Sequence, residues 1–467
     1  MADPKLNFNW EAAKLRREIG ATTAVRGKTK TCQPENVLRD RGGWRRRAHG
    51  RSTQRFVKSE EFPLDQPVGT LVASIAVDTS TDVKTTSPKI TGSELVGSYN
   101  WLDRDVSTIL VPGAPPKWTP LQGSVQLRED AGDYFREPNA ARWPKYPMEP
   151  AIRAVFDQNP KFDGKTINIV TCAGIMGCLF KFASSAAWDF QCFAHLIGDT
   201  LFLVRKGRTP KELIQGVYGY GHTFPEAYTS WDKDVKGSAT NQRIIRYKFG
   251  GFTFLVRFEV DGYLGGMIGT EAKQDIEKMP TSQKGRSDLD ILTQDTESVT
   301  IGKIKSGNTA TLQLQHAGFD VPEAAIFDLK TRVSRKEISM DEVLPRLWVR
   351  QIPNFVIAYH DRGVFDPNRI LVKAVKRDID VWEVENETVL LRLAKVFDSL
   401  TKGVKGSETK NLLVHRAKEG PLELWKTKES CRSAIPTALI AKWKGYDEEV
   451  DSNDDDDNDN DNDYLLF

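Results

Sequence analysis

Two short segments place charged residues where the periodicity of a β-strand would aim them at one face. In FEVD a single residue separates Glu259 from Asp261, and in IFDLKT the same spacing separates Asp328 from Lys330. Side chains at i and i+2 of a strand share a face, so each segment projects its pair together. If the two strands are neighbours, three carboxylates and a lysine converge. Clustered carboxylates repel one another unless a divalent cation neutralises them, and hard oxygen ligands suit Mg2+ or Mn2+. Such a cation polarises a phosphate and acidifies a bound water, while a lysine holds the scissile phosphate or the nucleophile. The plain alternative is that the charges are the solvent-facing half of alternating strands. That alternative fits FEVD taken alone. It fits IFDLKT less well, because there an acid and a lysine sit among apolar residues, where an unpaired buried charge costs on the order of several kcal/mol.

The elements that must position these residues can be read around them. RIIRYKF and FTFLVRFEVDGY flank Gly250-Gly251, and two β-rich runs joined by a two-residue glycine turn spell an antiparallel hairpin. AAIFDLKTR reads as a further buried strand. Between them, residues 262–310 are polar and glycine-rich and read as an insertion or lid, with weak strand signals at Ser298–Ile304 and Ala310–Leu314. Upstream, SYNWL opens an extended segment, EPAIRAVFDQ fits a helix, INIVTCAGIMGCLFKF a strand running into a buried helix, and FQCFAHLIGDTLFLVRK a hairpin. Downstream, DEVLPRLWVRQIPNFVIAYH reads as helix then strand, ILVKAVK as a strand and VLLRLAKVFDSL as a helix. The expected class is α+β, with mixed, largely antiparallel sheets flanked by helices and no strict βαβ repeat.

This core spans about residues 91–446 of the 467 and reads as one domain between two disordered ends. Residues 1–90 form a basic arm with one short helix near Trp10–Ile19, and its cluster RGGWRRRAHGR reads as a solvated arm, a nuclear-import signal or a nucleic-acid contact. Residues 447–467 form an acidic tail, so the net charge of +2 is a cancellation of opposite ends. Five cysteines without a CxxC pair point to a reducing compartment rather than to disulfides or structural zinc. Neither a membrane span nor a secretory leader is legible, so the expectation is an intracellular protein without a membrane partner. Serine-hydrolase, zincin, NTPase and dinucleotide-binding fingerprints are absent.

FEVD followed by FDLKT resembles the paired motifs of the DXO-type decapping exonucleases, a branch of nucleases with a PD-(D/E)XK-like core. RLWVRQIPNFVIAYHDRG, GYGHTFPEAY and INIVTCAGIMGCLFKF are similar to further segments of that family, and the likeness spans about residues 98–400. The resemblance implies a metal-dependent phosphodiester or pyrophosphate hydrolase acting on RNA 5′ ends, with Mg2+ or Mn2+, in the nucleus, and with a 5′–3′ exonuclease as a further partner. It implies Glu259, Asp261, Asp328 and Lys330 as catalytic residues. Asp261, Asp328, the Leu329 carbonyl and Glu226 would hold the metal, Glu259 would act through metal-bound water, and Lys330 would orient the nucleophile. Gln351 and His222 would touch substrate, with Arg257 or Arg332 (or Lys181) replacing an arginine that the family carries where this chain has Ala173. His222 also reads as a structural residue of a glycine-rich turn, and His360 as a strand end. Departures at Ala173, at Pro225 before Glu226, and in the long gap between Asp261 and Asp328 leave a second reading. In it, a catalytically impaired relative binds RNA or a nuclease partner. Fungal chains of this appearance are also labelled geranylgeranyl pyrophosphate synthetases. Those enzymes resemble all-helical bundles with two facing aspartate-rich motifs, whereas the clustered aspartates here lie in the tail and the core is rich in strands.

Overall fold

The computed structural model describes residues 64–77, 88–214, 216–268, 311–427 and 433–446, all within one compact unit. The chain opens with β1 (Gly69–Ile75), β2 (Thr91–Leu102), β3 (Thr108–Gly113), β4 (Lys117–Trp118) and β5 (Val125–Gln126), followed by α1 (Pro138–Arg142) and α2 (Glu149–Gln158). Next, β6 (Ile169–Cys172) runs straight into α3 (Ala173–Ala183), and the hairpin β7 (Phe190–Ile197) and β8 (Thr200–Arg205) leads to α4 (Thr223–Tyr228) and β9 (Thr229–Ser230). A long hairpin, β10 (Ser238–Phe249) and β11 (Phe252–Val260), ends in β12 (Gly262–Tyr263). Beyond residue 310 come β13 (Gln313–Gly318), β14 (Ile326–Val333), α5 (Met340–Arg350), β15 (Asn354–Asp361), β16 (Val364–Ala374), α6 (Lys376–Glu385) and α7 (Glu387–Gly406). The hairpin β17 (Asn411–Arg416) and β18 (Leu422–Thr427) and the helix α8 (Thr437–Trp443) close the described chain.

The strands form two mixed, mostly antiparallel sheets. The larger has the order β1-β18-β17-β7-β8-β6-β11-β10-β2-β3-β13, and the smaller β5-β16-β15-β14-β12-β4-β9. Helices cover both faces of the larger one. On one face Met176 and Leu179 of α3, Leu347 and Trp348 of α5 and Leu393 and Phe397 of α7 pack on Phe254 and Val256 of β11. On the other, Ile152 and Val155 of α2 and Trp443 of α8 pack with Tyr99, Trp101, Ile244 and Leu255. β11 is thus covered on both sides, which is why its sequence is a nearly unbroken apolar run rather than an alternation. The turn into it needs its glycines: Gly250 and Gly251 have φ of +57° and +86°, and a Cβ at Gly250 would stand 2.6 Å from Cβ of Ala394.

Several expectations need correction. β1 lies inside the segment read as a disordered arm, yet it pairs antiparallel with β18 at the edge of the larger sheet. Its partner strand comes from the far end of the sequence, so local composition could not announce it. The insertion read from residue 262 starts later, because Gly262 and Tyr263 pair with Phe327 and Ile326 in the smaller sheet. The strand expected at Ala310–Leu314 is β13, three residues further on, and β16 starts before ILVKAVK. The helix α6, the β17–β18 hairpin and α8 went unread. The Trp10–Ile19 helix, the Ser298–Ile304 strand and the acidic tail lie outside the described residues. An all-helical prenyl synthase bundle is not this architecture.

Candidate active site at the junction of the two sheets

The chain crosses from one sheet to the other at Asp261, between the last residue of β11 and the first of β12. Gly262 pairs with Phe327 in antiparallel register, which brings Asp261 across from Asp328. The crossing is tight: a Cβ on Gly262 would meet the Phe327 ring at 2.4 Å and the Pro116 carbonyl oxygen at 2.7 Å. Within β14, Phe327 and Leu329 face an apolar cluster with Phe224, Val356 and Phe365, so Asp328 and Lys330 take the opposite face, towards α5. The strand line that carries Asp261 into β12 therefore runs beside β14, which is the condition that the spacing had left open.

Their carboxylates meet. The Leu329 amide donates to Asp261 Oδ2 at 2.6 Å, and the side chains of Asp261 and Asp328 are within hydrogen-bonding reach of each other. Burial and the adjacent Asp328 push the Asp261 carboxyl well above the usual carboxylate range. Burial pulls Asp328 the same way, but Arg346 and Arg350 outweigh it and hold that carboxyl below its ordinary value. One proton shared between two adjacent carboxyls is the expected compromise. Arg346 Nη2 lies 2.6 Å from Asp328 Oδ2 as an ion pair without the alignment of a hydrogen bond, and Arg350 Nη1 donates to Oδ1 at 3.5 Å. Arg346 and Arg350 are four residues apart on α5 and so share a face of that helix.

Glu259 sits apart from this pair. Gln242 Nε2 donates to its carboxylate at 3.3 Å, and Gln242 is itself held by Arg257 Nη1 at 2.9 Å. Burial raises the Glu259 pKa, with Glu137 adding to it and Arg350 opposing. Glu259 and Asp261 line one side of a cavity of about 260 Å3, whose other walls include Glu226 and His222 of the α4 turn. Asp130 fixes that turn by accepting from the amides of His222 and Thr223, and Tyr134 stacks on the His222 ring with centroids 3.6 Å apart. Burial lowers the His222 pKa, with Asp130 acting against it.

Other expected residues lie elsewhere. Arg257 is buried opposite Cys172, one residue from Ala173, but its guanidinium pairs with Glu137 at 3.1 Å and serves the Gln242 chain rather than a substrate. Lys181 stands over the Trp188 ring at 3.1 Å. Gln351 adopts the left-handed conformation that ends α5, and its amide donates back to the Trp348 carbonyl. The side chain that reaches the site is its neighbour Arg350, on the inward face of α5. Arg332 does lie on the site side, two residues from Lys330 on the same strand face. His360 ends β15 against Tyr220 and Phe365, a structural role. Arg346, Arg350, Gln242, Glu137 and Asp130 were not singled out from the sequence; the i, i+4 arginines of LPRLWVR were the legible sign.

The fit of a divalent cation can be judged from this donor set. Among the described residues no three His, Cys, Asp or Glu side chains gather as a metal site. The positive charge that a cation would bring to Asp328 is already supplied by Arg346 and Arg350. The expected ligand set of Asp261, Asp328, Leu329 and Glu226 does not fit a metal in this arrangement, because the carboxylate that should lead it is committed to arginine.

In overall structure the chain is similar to Rai1 of Scheffersomyces stipitis in complex with (3′-NADP)+ and calcium ion, at 11% identity and a TM-score of 0.47, covering 82% of this chain and 99% of that one. Rai1 of Candida albicans in complex with pU5-Mn2+ aligns at 12% identity and 0.46, over 82% and 99%. Dxo1 of K. lactis in complex with manganese aligns at 8% identity and 0.42, over 78% and 97%. No curated protein matches the sequence. Residues 72–442 match the family model described as a domain of unknown function (DUF8563), and the chain belongs to that family.

Proposed function

We propose that this protein binds the phosphorylated 5′ ends of RNA at the sheet junction, and that its hydrolytic chemistry is weakened relative to the nucleases its motifs resemble. One observation carries the reading. Arg346 and Arg350 pair with the Asp328 carboxylate and hold its pKa down, and Lys330 and Arg332 follow it along the same strand face. Burial lowers the Lys330 pKa, and Arg346 and Arg332 lower it further, only partly offset by Asp328 and Glu342, so like charges are crowded there. Arg332, Arg346 and Arg350 each bury an Nε with no hydrogen-bond acceptor. A phosphate relieves both deficits, since it brings negative charge and several acceptor oxygens to guanidinium groups suited to them. The RNA 5′ end as the phosphate's source follows from the resemblance of FEVD and FDLKT to decapping nucleases.

A second reading, an active Mg2+- or Mn2+-dependent hydrolase, is favoured by the contact of Asp261 with Asp328 and by Lys330 two residues on. The two are separated by binding and product release measured on triphosphorylated, monophosphorylated and hydroxyl-ended RNA of one sequence. The first reading expects affinity that depends on the 5′ phosphate and drops about tenfold or more in Lys330→Ala/Arg332→Ala, with little metal-dependent release. Release that requires Mn2+ and vanishes in Asp261→Asn/Asp328→Asn would establish the second. Equal affinity for all three ends would reject the proposed recognition.

A further inference from the structure

We infer that Arg346, seconded by Arg350, is a built-in cation occupying the place at Asp328 where a nuclease of this motif pattern would seat a divalent metal. The site would then be assembled without metal, and removing the arginine would open it to one. Arg346 presents its Nη2 to Asp328 Oδ2 at 2.6 Å, while Arg350 Nη1 approaches the other oxygen at 3.5 Å. Both oxygens of the Asp328 carboxylate are thereby faced by guanidinium nitrogens, and a cation entering between Asp261 and Asp328 would meet two like charges.

The helix that delivers them is locked. Val343, Leu344, Leu347 and Trp348 of α5 are buried, and the Trp348 ring packs edge-on against Phe249 with centroids 5.3 Å apart. Trp348 Nε1 also donates to Glu383 of α6 at 2.9 Å. Rotation of α5 to withdraw the arginines would unpack that tryptophan, so the guanidinium groups stay over the acidic pair. Glu259, the other acid of the FEVD motif, is turned to Gln242 rather than to this pair.

This inference deepens the reading of a phosphate-binding site with weakened chemistry and rests on it for the role of the site. Cation uptake is measured without RNA, so either idea can fail alone. The experiment titrates Mn2+ into the full chain and follows the electron paramagnetic resonance signal of the free ion. It compares the natural protein, Arg346→Lys, Arg346→Met, Arg346→Met/Arg350→Gln, and Asp261→Asn added to the natural protein and to each of the last two. The aspartate-rich tail is present in all of them and sets a common background.

We expect the natural protein and Arg346→Lys to show that background alone. The Met-bearing forms should gain one site, about tenfold or more tighter, which Asp261→Asn abolishes. The inference is overturned if the natural protein already has a Mn2+ site that Asp261→Asn removes. It is equally overturned if the Met-bearing forms, melting as cooperatively as the natural protein, gain none. Should Arg346→Met fail to fold, Arg346→Gln, similar in length and uncharged, gives the same comparison.

Discussion

At the scale of the residue, Asp328 is the pivot, because its buried carboxylate binds two arginines and repels one aspartate. Asp328→Ala would leave Arg346 and Arg350 facing an empty, partly buried position, so a loss of about 3–5 kcal/mol is expected in urea unfolding. Asp261 responds in the opposite sense. Its pKa is raised in the folded state, so that state binds the extra proton between the unfolded value near pH 4 and the higher folded one. Stability is therefore fully kept below that window and is lost as pH rises through it. Asp261→Asn keeps an acceptor for the Leu329 amide and cannot ionise. The variant should melt at a higher temperature than the natural protein at neutral pH and at the same temperature near pH 4; a parallel offset at both would show that ionisation is not the cause.

At the scale of the element, the decisive feature is the passage of one strand line from the larger sheet into the smaller. Gly262 permits it, since any side chain there strikes Phe327 and the Pro116 carbonyl. Gly262→Ala should cost about 1–3 kcal/mol by overpacking. It should also weaken 5′-phosphate binding more than an equally destabilising change in a remote strand. Equal effects of the two would mean that the crossing is merely structural. The hairpin, β14 and α5 were legible because glycine turns, apolar runs and helical spacing are local. β1 and β12 were not, because each is held by a partner far away in sequence.

At the scale of the whole molecule, the charges at the two ends of the chain oppose each other while the described core carries the site. We propose that the acidic tail masks the basic arm by charge attraction. Deleting residues 447–467 should therefore strengthen RNA binding and steepen its salt dependence, with each phosphate newly contacted on a single strand adding about 0.7 to the logarithmic slope. Unchanged affinity after deletion would reject masking by the tail. The same arm carries the proposal of a nuclear location, which its removal from a fluorescently tagged chain would test.

From the sequence alone came the two strand motifs, their shared faces and the α+β class, because strand periodicity, turn glycines and apolar runs are written residue by residue. Whether Asp261 and Asp328 would meet hung on the two strands being neighbours, which their spacing left open and the pairing of β12 with β14 decided. What the tertiary structure decided beyond that is the company they keep. Arg346 and Arg350 reach Asp328 from a helix some twenty residues downstream, Glu259 turns to Gln242, and Arg257 is claimed by Glu137. Those choices depend on how α5 packs across the sheet and on which buried charge finds which partner, and no local pattern encodes that competition.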